Sequence, residues 1–244
     1  MKPSHLALVV LLLAGCGSAA STPLPLASPT PAGLIYGAVG ASETVGVGAT
    51  DAVRDAWPAV FARSALPPTA HYRNFGISGE KVSGALVDEL PQVLNVKPTV
   101  ITLWLNVNDI NAGVPVAEYQ AQLTQLVHAL RQGGRARVLV ANTPHLDQLP
   151  VYLACRSGAT VNGVACPGKV TALQLDAVNS AVDGYNTAIA AVVQQEGAEL
   201  VDLHSQGEVP VDHPEYVSRD GFHPSTAGHA AIAGKFVEVY LKHQ

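Results

Sequence analysis

An aspartate and a histidine stand three residues apart near the C-terminus, in the segment Asp-Gly-Phe-His-Pro at 220–224. A histidine can take the proton of a serine hydroxyl, and a carboxylate can fix the tautomer of that histidine. Asp220 and His223 are therefore suited to two of the three positions of a serine hydrolase triad. The spacing alone is weak evidence, because Asp-x-x-His arises by chance in many loops. Its meaning depends on whether the chain also supplies a serine and donors for an oxyanion.

Three upstream segments offer such groups. Gly-Ala-Ser-Glu at 40–43 places a serine beside a glycine, which permits the tight turn that exposes a hydroxyl. Asn-Phe-Gly-Ile-Ser-Gly-Glu at 74–80 has glycines where a backbone N–H can approach a negative oxygen. Asn-Val-Asn-Asp at 106–109 offers a side-chain amide, which can donate to a developing oxyanion. Each segment alone is explained equally well by an ordinary turn between a strand and a helix.

Short apolar runs alternate with longer amphipathic segments from about residue 33 onward, which predicts an α/β fold with a parallel sheet covered on both faces. The predicted strands are Leu34–Val39, His71–Phe75, Val100–Leu105, Val138–Ala141 and Glu199–Leu203. The predicted helices are Asp51–Leu66, Lys81–Leu94, Val116–Gln132, Thr171–Gln195 and one that begins at Pro224. Ligands bind beyond the carboxyl ends of the strands in such sheets. All the candidate residues follow strand ends: Ser42 the first, Gly79 the second, Asn108 the third, and Asp220 and His223 the fifth.

In this order and placement, the four segments resemble the SGNH hydrolase family, also called GDSL-type esterases and lipases, over about residues 34–240. The resemblance implies a flavodoxin-like three-layer α/β/α sandwich with a central, mainly parallel five-stranded sheet. It also implies a serine esterase or lipase without a cofactor. By this resemblance Ser42, Asp220 and His223 form the catalytic triad, and Ser42, Gly79 and Asn108 form the oxyanion hole.

The sequence departs from the family pattern at two places. The family usually has Gly-Asp-Ser-Leu where this chain has Gly-Ala-Ser-Glu at 40–43. The missing aspartate is not the catalytic acid, so we expect the chemistry to survive while the support of the loop differs. Asn106 replaces the glycine that usually begins the third segment. Asn adopts left-handed backbone more readily than most residues, so we expect the turn to accommodate it.

The N-terminus predicts export. Residues 1–15 have a positive charge at Lys2 and a short apolar run, as in a signal peptide. The ending Leu-Ala-Gly-Cys at 13–16 resembles the lipobox of bacterial lipoproteins, which would make Cys16 a lipidated membrane anchor. An ordinary secretory signal is the alternative. Residues 16–32 would then be the lipidated cysteine and a Pro/Ser/Ala-rich tether, and 33–244 the hydrolase domain.

The other two cysteines, Cys155 and Cys166, lie in one loop. In an exported protein a disulfide between them is expected rather than two free thiols. The surrounding segment, 142–168, carries apolar side chains that either line an acyl pocket or lid or pack on the domain surface. The sequence leaves these two interpretations open.

Composition and charge exclude several functions. The chain has 244 residues, 48% of them hydrophobic, and a net charge of -5. We expect one domain, monomeric, without the basic patch that nucleic acid binding needs. We expect polar surface or loop roles, not a metal site, for the histidines that could accompany His223, namely His145, His204, His213 and His229. A small-molecule, lipid or glycan ester is the expected substrate. The alternatives are an acyltransferase, an O-acetyl-polysaccharide esterase and a non-catalytic glycan-binding lipoprotein.

Overall fold

A computed structural model of the chain describes residues 33–167, 172–207 and 211–242. The predicted signal peptide, Cys16 and the tether lie outside these residues, as does residue 168 at the end of the 142–168 segment. Within the described ranges no helix combines the length and apolar character needed to cross a membrane.

Five parallel strands form the central sheet, in the order β2-β1-β3-β4-β5. The strands are β1 (Ile35–Gly40), β2 (His71–Asn74), β3 (Val100–Trp104), β4 (Arg137–Ala141) and β5 (Glu199–Val201). The α/β fold and the five predicted strands are confirmed, with ends shifted by one or two residues. Because every pairing is parallel, all five strands end at the same edge of the sheet.

Ten α-helices flank or connect the strands in the described residues. They are α1 (Ser42–Val45), α2 (Ala52–Asp55), α3 (Trp57–Ala65), α4 (Val82–Ala85), α5 (Leu90–Val96), α6 (Val107–Asn111), α7 (Val116–Arg131), α8 (Pro150–Ser157), α9 (Ala172–Glu196) and α10 (Thr226–Lys242). Three 3₁₀ turns accompany them, at Gln132–Gly134, Leu146–Gln148 and Pro214–Tyr216.

The sheet separates two apolar clusters, which gives the three layers expected from the alternation. Alternate residues of β3 enter different clusters: Ile101 and Leu103 face α4, α5, α7 and α9, whereas Val100 and Trp104 face α3 and α10. Trp57 and Phe236 stack in the second cluster with ring centroids 4.3 Å apart. Strands buried on both faces explain why the predicted strands are continuous apolar runs rather than alternating ones.

Prolines account for two differences from the predicted helices. The segment predicted as Asp51–Leu66 is interrupted at Ala56, whose backbone is extended, and α3 restarts with Pro58 in its first turn. The segment predicted as Lys81–Leu94 likewise divides into α4 and α5, and Pro91 lies in the first turn of α5. Proline is tolerated at the start of a helix but not inside it, so each proline marks a new beginning.

The prediction that the last helix begins at Pro224 was wrong. It pairs with Val217 in an isolated antiparallel bridge, and α10 begins two residues later at Thr226. The bridge joins the two ends of the loop that carries Asp220 and His223. The loop is therefore closed by backbone pairing rather than by the helix itself.

Candidate active site

The structure brings Ser42, His223 and Asp220 into one line of hydrogen bonds. Ser42 Oγ lies 3.1 Å from His223 Nε2, and His223 Nδ1 lies 2.6 Å from Asp220 Oδ2. A carboxylate can only accept, so Nδ1 carries the imidazole proton and donates it to Asp220. Nε2 is then bare and can accept the proton of the Ser42 hydroxyl. This is the arrangement that turns a serine into a nucleophile.

Asp220 also holds the shape of the loop around it. Its second oxygen, Oδ1, accepts from Ser218 Oγ at 2.7 Å and from the backbone N–H groups of Phe222 at 2.8 Å and His223 at 2.9 Å. Partial burial raises the pKa of Asp220, but the hydrogen bonds from His223, Ser218 and the backbone outweigh it and lower the pKa to about 2. The carboxylate is therefore ionised throughout the pH range in which an esterase works.

Ser42 is the first residue of α1, directly beyond the end of β1, and it is nearly buried. Its hydroxyl has two acceptors, because Glu43 Oε2 lies 3.3 Å from Oγ in addition to His223 Nε2. The single hydroxyl proton can point to one of them at a time. Burial raises the pKa of the Glu43 carboxyl above its ordinary value, against opposing effects of its hydrogen bonds and of His223.

Gly79 lies on a loop and Asn108 in the first turn of α6, and the loop is hydrogen-bonded both to the end of β1 and to Asn108. The N–H of Ile77 donates to the carbonyl of Gly40 at 2.9 Å, which fixes the 76–81 loop beside the end of β1. Asn108 Nδ2 donates to the carbonyl of Glu80 at 2.9 Å. That contact uses one of the two amide hydrogens and leaves the second for a ligand. Gly79 has φ 83°, a left-handed backbone that favours glycine.

Asn106 is accommodated in its turn without a left-handed backbone. Its φ is -164°, in the extended region, and its Nδ2 donates to the carbonyl of Ala141 at 3.4 Å. The left-handed tolerance of asparagine is therefore not what allows this residue to replace glycine. The contact instead links the end of β3 to the end of β4.

Two buried carboxyl groups, which the sequence analysis did not single out, accept backbone hydrogen bonds next to the Ser42 turn and the Gly79 loop. Glu89 accepts the N–H of Gly40 at 3.0 Å, and Asp109 accepts the N–H of Val82 at 3.3 Å. Burial raises the pKa of Glu89 to about 8 and that of Asp109 to about 6, although the backbone donors oppose both shifts. Glu89 interrupts an apolar helical stripe between Val82 and Val93, and this was the available sequence signal.

His229 is fully buried, so the prediction of a surface or loop role was wrong for this residue. The N–H of Trp57 donates to its Nδ1 at 3.3 Å, and its Nε2 therefore donates to the carbonyl of Val47 at 3.0 Å. Burial lowers its pKa, which keeps the ring neutral. His229 thus fastens the loop after α1 to α3 and α10.

The other three histidines considered as possible metal ligands lie in loops. The rings of His145 and His204 stack 4.1 Å apart, and His213 Nδ1 lies 3.0 Å from Glu215 Oε1. Across the described residues, no group of three or more His, Cys, Asp or Glu side chains is arranged to hold a metal ion.

Cys155 and Cys166 are joined by a disulfide, and both Val164, inside the loop that it closes, and Val151, just before that loop, contact Gly221. The N–H of Val151 donates to the carbonyl of Gly221 at 3.2 Å. Val164 lies so close to Gly221 that a Cβ there would come within 2.6 Å of Val164 Cγ2. Its φ of 74° is also in the left-handed region. Both the close contact and the backbone conformation therefore favour glycine at position 221.

Helix α8, which carries Cys155, reaches the other side of the site. The Tyr152 hydroxyl donates to Asn111 Oδ1 at 3.1 Å, at the end of the helix that carries Asn108. Helix α8 therefore contacts the loop of Asp220 and His223 through Val151 and the helix of Asn108 through Tyr152.

A cavity of about 100 Å³ adjoins the triad and has Glu43 and His223 in its wall. The rest of the wall is mostly apolar, with Trp104, Leu146, Leu149 and Phe222 among its members. The apolar residues of the 142–168 segment divide between this cavity and the core. Leu146 and Leu149 line the cavity, while Val151 and Tyr152 pack against the core beneath α8.

Comparison with known proteins gives one family and a consistent fold. The profile of the GDSL-like lipase/acylhydrolase family matches residues 38–231. A search of curated protein sequences found no match.

Three solved structures show similar folds at low sequence identity. An extracellular lipase from Streptomyces rimosus is 19% identical with a TM-score of 0.61, over 86% of this chain and 100% of that one. A lipase/acylhydrolase from Enterococcus faecalis is 18% identical with a TM-score of 0.63, over 86% and 96%. Phospholipase A1 from Streptomyces albidoflavus is 20% identical with a TM-score of 0.61, over 87% and 100%.

Glu89→Gln should change how stability depends on pH. Between about pH 4.5 and pH 8 the unfolded chain loses the Glu89 proton while the folded protein keeps it, so stability falls as pH rises through this window. Gln keeps an acceptor for Gly40 and has no proton to lose. We expect urea unfolding at about pH 5 and about pH 8 to show a smaller fall for the variant. Asp183→Asn, on the exposed surface of α9, is the control, and an unchanged fall in Glu89→Gln would contradict the assignment.

Breaking the disulfide should lower turnover as well as stability. The bridge closes a short loop, and its loss should cost about 3 kcal/mol in the chain-entropy model. Loosening Val164 from Gly221 should also lower kcat more than it raises KM in the fraction that stays folded. The test compares a Cys155→Ser/Cys166→Ser variant with wild type before and after reduction, using an ester substrate. Full turnover of the folded variant would show that the segment does not position the triad loop.

Proposed function

We propose that this chain, which belongs to the GDSL-like lipase/acylhydrolase family, hydrolyses carboxylic esters outside the cytoplasm through an acyl-enzyme on Ser42. Family membership makes the protein a serine ester hydrolase. The observation that carries the assignment of residues is the single line of contacts, with Ser42 Oγ 3.1 Å from His223 Nε2 and His223 Nδ1 2.6 Å from Asp220 Oδ2.

In the first step Ser42 Oγ attacks the ester carbonyl carbon while His223 Nε2 takes the hydroxyl proton. Asp220 accepts the Nδ1 hydrogen and stabilises the imidazolium that forms. The carbonyl oxygen becomes an oxyanion. Its donors in this proposal are the backbone N–H groups of Ser42 and Gly79 and the free amide hydrogen of Asn108.

The intermediate then collapses. The bond to the alcohol oxygen breaks, His223 gives its proton to that oxygen, and the alcohol leaves Ser42 acylated. In the second half His223 takes a proton from water, whose oxygen attacks the acyl carbon. Protonation of Ser42 Oγ releases the carboxylic acid and restores the resting site.

The mostly apolar cavity beside the triad favours esters with a hydrocarbon portion, and it is the natural place for an acyl chain. Similar structures include an extracellular lipase and a phospholipase A1, which keeps lipid esters among the candidate substrates. We therefore propose a small-molecule, lipid or glycan ester as the substrate. We also propose that the enzyme is a monomer.

The cellular setting is inferred from residues outside the described part of the chain. The signal-like segment 1–15 and the lipobox-like ending at Cys16 support export and a lipid anchor. The disulfide between Cys155 and Cys166 also supports export, because disulfides persist in oxidising compartments outside the cytoplasm. We propose a lipid-anchored enzyme of the bacterial cell envelope, which would be secreted if the lipobox is not used.

Ser42→Ala should abolish ester hydrolysis, with kcat lower by a factor on the order of 10⁵, because no other group can form the acyl-enzyme. The measurement is hydrolysis of p-nitrophenyl acetate, butyrate and palmitate by wild type and variant, with and without sugar acceptors. We expect wild type to release free acid whether or not a sugar is present. Transfer of most acyl groups to the sugar would favour an acyltransferase instead. A fully active Ser42→Ala protein would refute the mechanism.

Cys16→Ser should release the enzyme from the membrane, because serine cannot carry the thioether-linked lipid. Fractionation of expressing bacteria, followed by an ester assay, should show wild type in the membrane fraction and the variant in the soluble or extracellular fraction. Equal distribution of the two proteins would rule out the anchor while leaving the catalytic assignment untouched.

A further inference from the structure

Glu43 is a buried carboxyl group at the reaction centre that the mechanism above does not use. It directly follows the nucleophile, at the position where the family sequence Gly-Asp-Ser-Leu has a leucine. It is 8% exposed, and its Oε2 lies 3.3 Å from Ser42 Oγ. It is also part of the cavity wall, beside His223 and among apolar residues such as Trp104 and Leu149.

This placement penalises a purely hydrocarbon substrate. The Ser42 hydroxyl donates to Glu43, and this donor is lost when His223 takes the Ser42 proton. A hydrocarbon group that fills the cavity next to Glu43 cannot replace it. Leaving a buried polar group without a hydrogen-bond partner costs free energy. A site that contains such a group therefore discriminates strongly against substrates that lack a matching hydrogen-bonding group. A substrate that brings its own hydrogen-bonding group to this point avoids the penalty.

The partner that fits is a hydroxyl group. A hydroxyl can donate to an ionised carboxylate and can accept from a protonated carboxyl, so it suits Glu43 in either form. An ammonium group can only donate, and it would lie beside His223, which becomes positively charged when it takes the Ser42 proton. The charge on His223 therefore favours a neutral donor over a cation.

The distance from Glu43 to the nucleophile sets where this hydroxyl must be. Ser42 Oγ forms the bond to the carbonyl carbon, so a group that reaches Glu43 Oε2 must lie within two or three bonds of the ester. We propose that Glu43 is a specificity-determining residue that selects carboxylic esters bearing a hydroxyl group next to the scissile ester. The hydroxyl belongs either to a 3-hydroxyacyl group or to the second carbon from the ester oxygen on the alcohol side, as in a partly acylated polyol. The inference rests on the proposed esterase function of Ser42.

Two matched substrate pairs test the inference and separate the two sources of the hydroxyl. p-Nitrophenyl butyrate and p-nitrophenyl 3-hydroxybutyrate differ on the acyl side, and ethyl butyrate and 2-hydroxyethyl butyrate differ on the alcohol side. Wild type, Glu43→Leu and Glu43→Gln are compared by kcat/KM on all four esters. Glu118→Gln, which removes one charge from the exposed surface of α7, is the control.

In at least one pair we expect wild type to prefer the hydroxylated ester by roughly 10- to 100-fold. Glu43→Leu should lose that preference, while Glu43→Gln, whose amide can still donate and accept, should keep part of it. The Gln variant is nearly isosteric and provides a test even if the Leu variant does not fold. The control should behave as wild type.

Three outcomes would overturn the inference. In the first, wild type shows no preference in either pair. In the second, both Glu43 variants keep the full wild-type preference. In the third, they slow all four esters by the same factor, which would make Glu43 a general support of the nucleophile. Failure of the esterase assignment looks different, since wild type would then hydrolyse none of the four esters, or Ser42→Ala would hydrolyse them as well.

Discussion

The contact between Asp220 and His223 is the interaction on which the geometry of the site depends. One carboxylate oxygen fixes the tautomer of the imidazole, and the other gathers a hydroxyl and two backbone N–H groups from its own loop. The loop therefore cannot change shape without breaking the bond that orients His223. The Val217–Pro224 bridge and the contact of Val164 with Gly221 hold the same loop from outside. The Asp220 carboxylate thus determines both the orientation of His223 and the conformation of the loop.

The opposite half of the site is fixed by polar groups buried in the fold. Glu89 accepts the N–H of Gly40 just before Ser42, and Asp109 accepts the N–H of Val82 at the start of α4, just after the Gly79 loop. His229 ties the loop that follows α1 to two helices. Burying these groups costs stability unless their hydrogen bonds are made, so each one favours a single arrangement of the backbone it touches. The family sequence has an aspartate where this chain has Ala41, and here the preceding N–H, that of Gly40, is held by Glu89.

Much of this arrangement could be predicted from the sequence, and the rest depends on contacts that a sequence does not display. Parallel strands must end at one edge, so the pattern of apolar runs placed the segments of Ser42 and His223 at the same edge, and the order of the four motifs paired these two residues, which are 181 positions apart. The breaks at Pro58 and Pro91 were also readable, because proline does not continue a helix. The pairing of Glu89 with Gly40 could not be predicted from the sequence, because it depends on how α5 packs beneath the end of β1. The burial of His229 depends in the same way on the packing of α10 against α3.

A crystal structure of the enzyme after reaction with a fluorophosphonate is the most direct test of the account. It should show phosphorus bonded to Ser42 Oγ, with His223 and Asp220 still in line behind it. The phosphonyl oxygen should lie about 2.7–3.1 Å from the N–H groups of Ser42 and Gly79 and from Asn108 Nδ2. Attachment at another residue, or an adduct on Ser42 whose oxygen points away from Gly79 and Asn108, would contradict it.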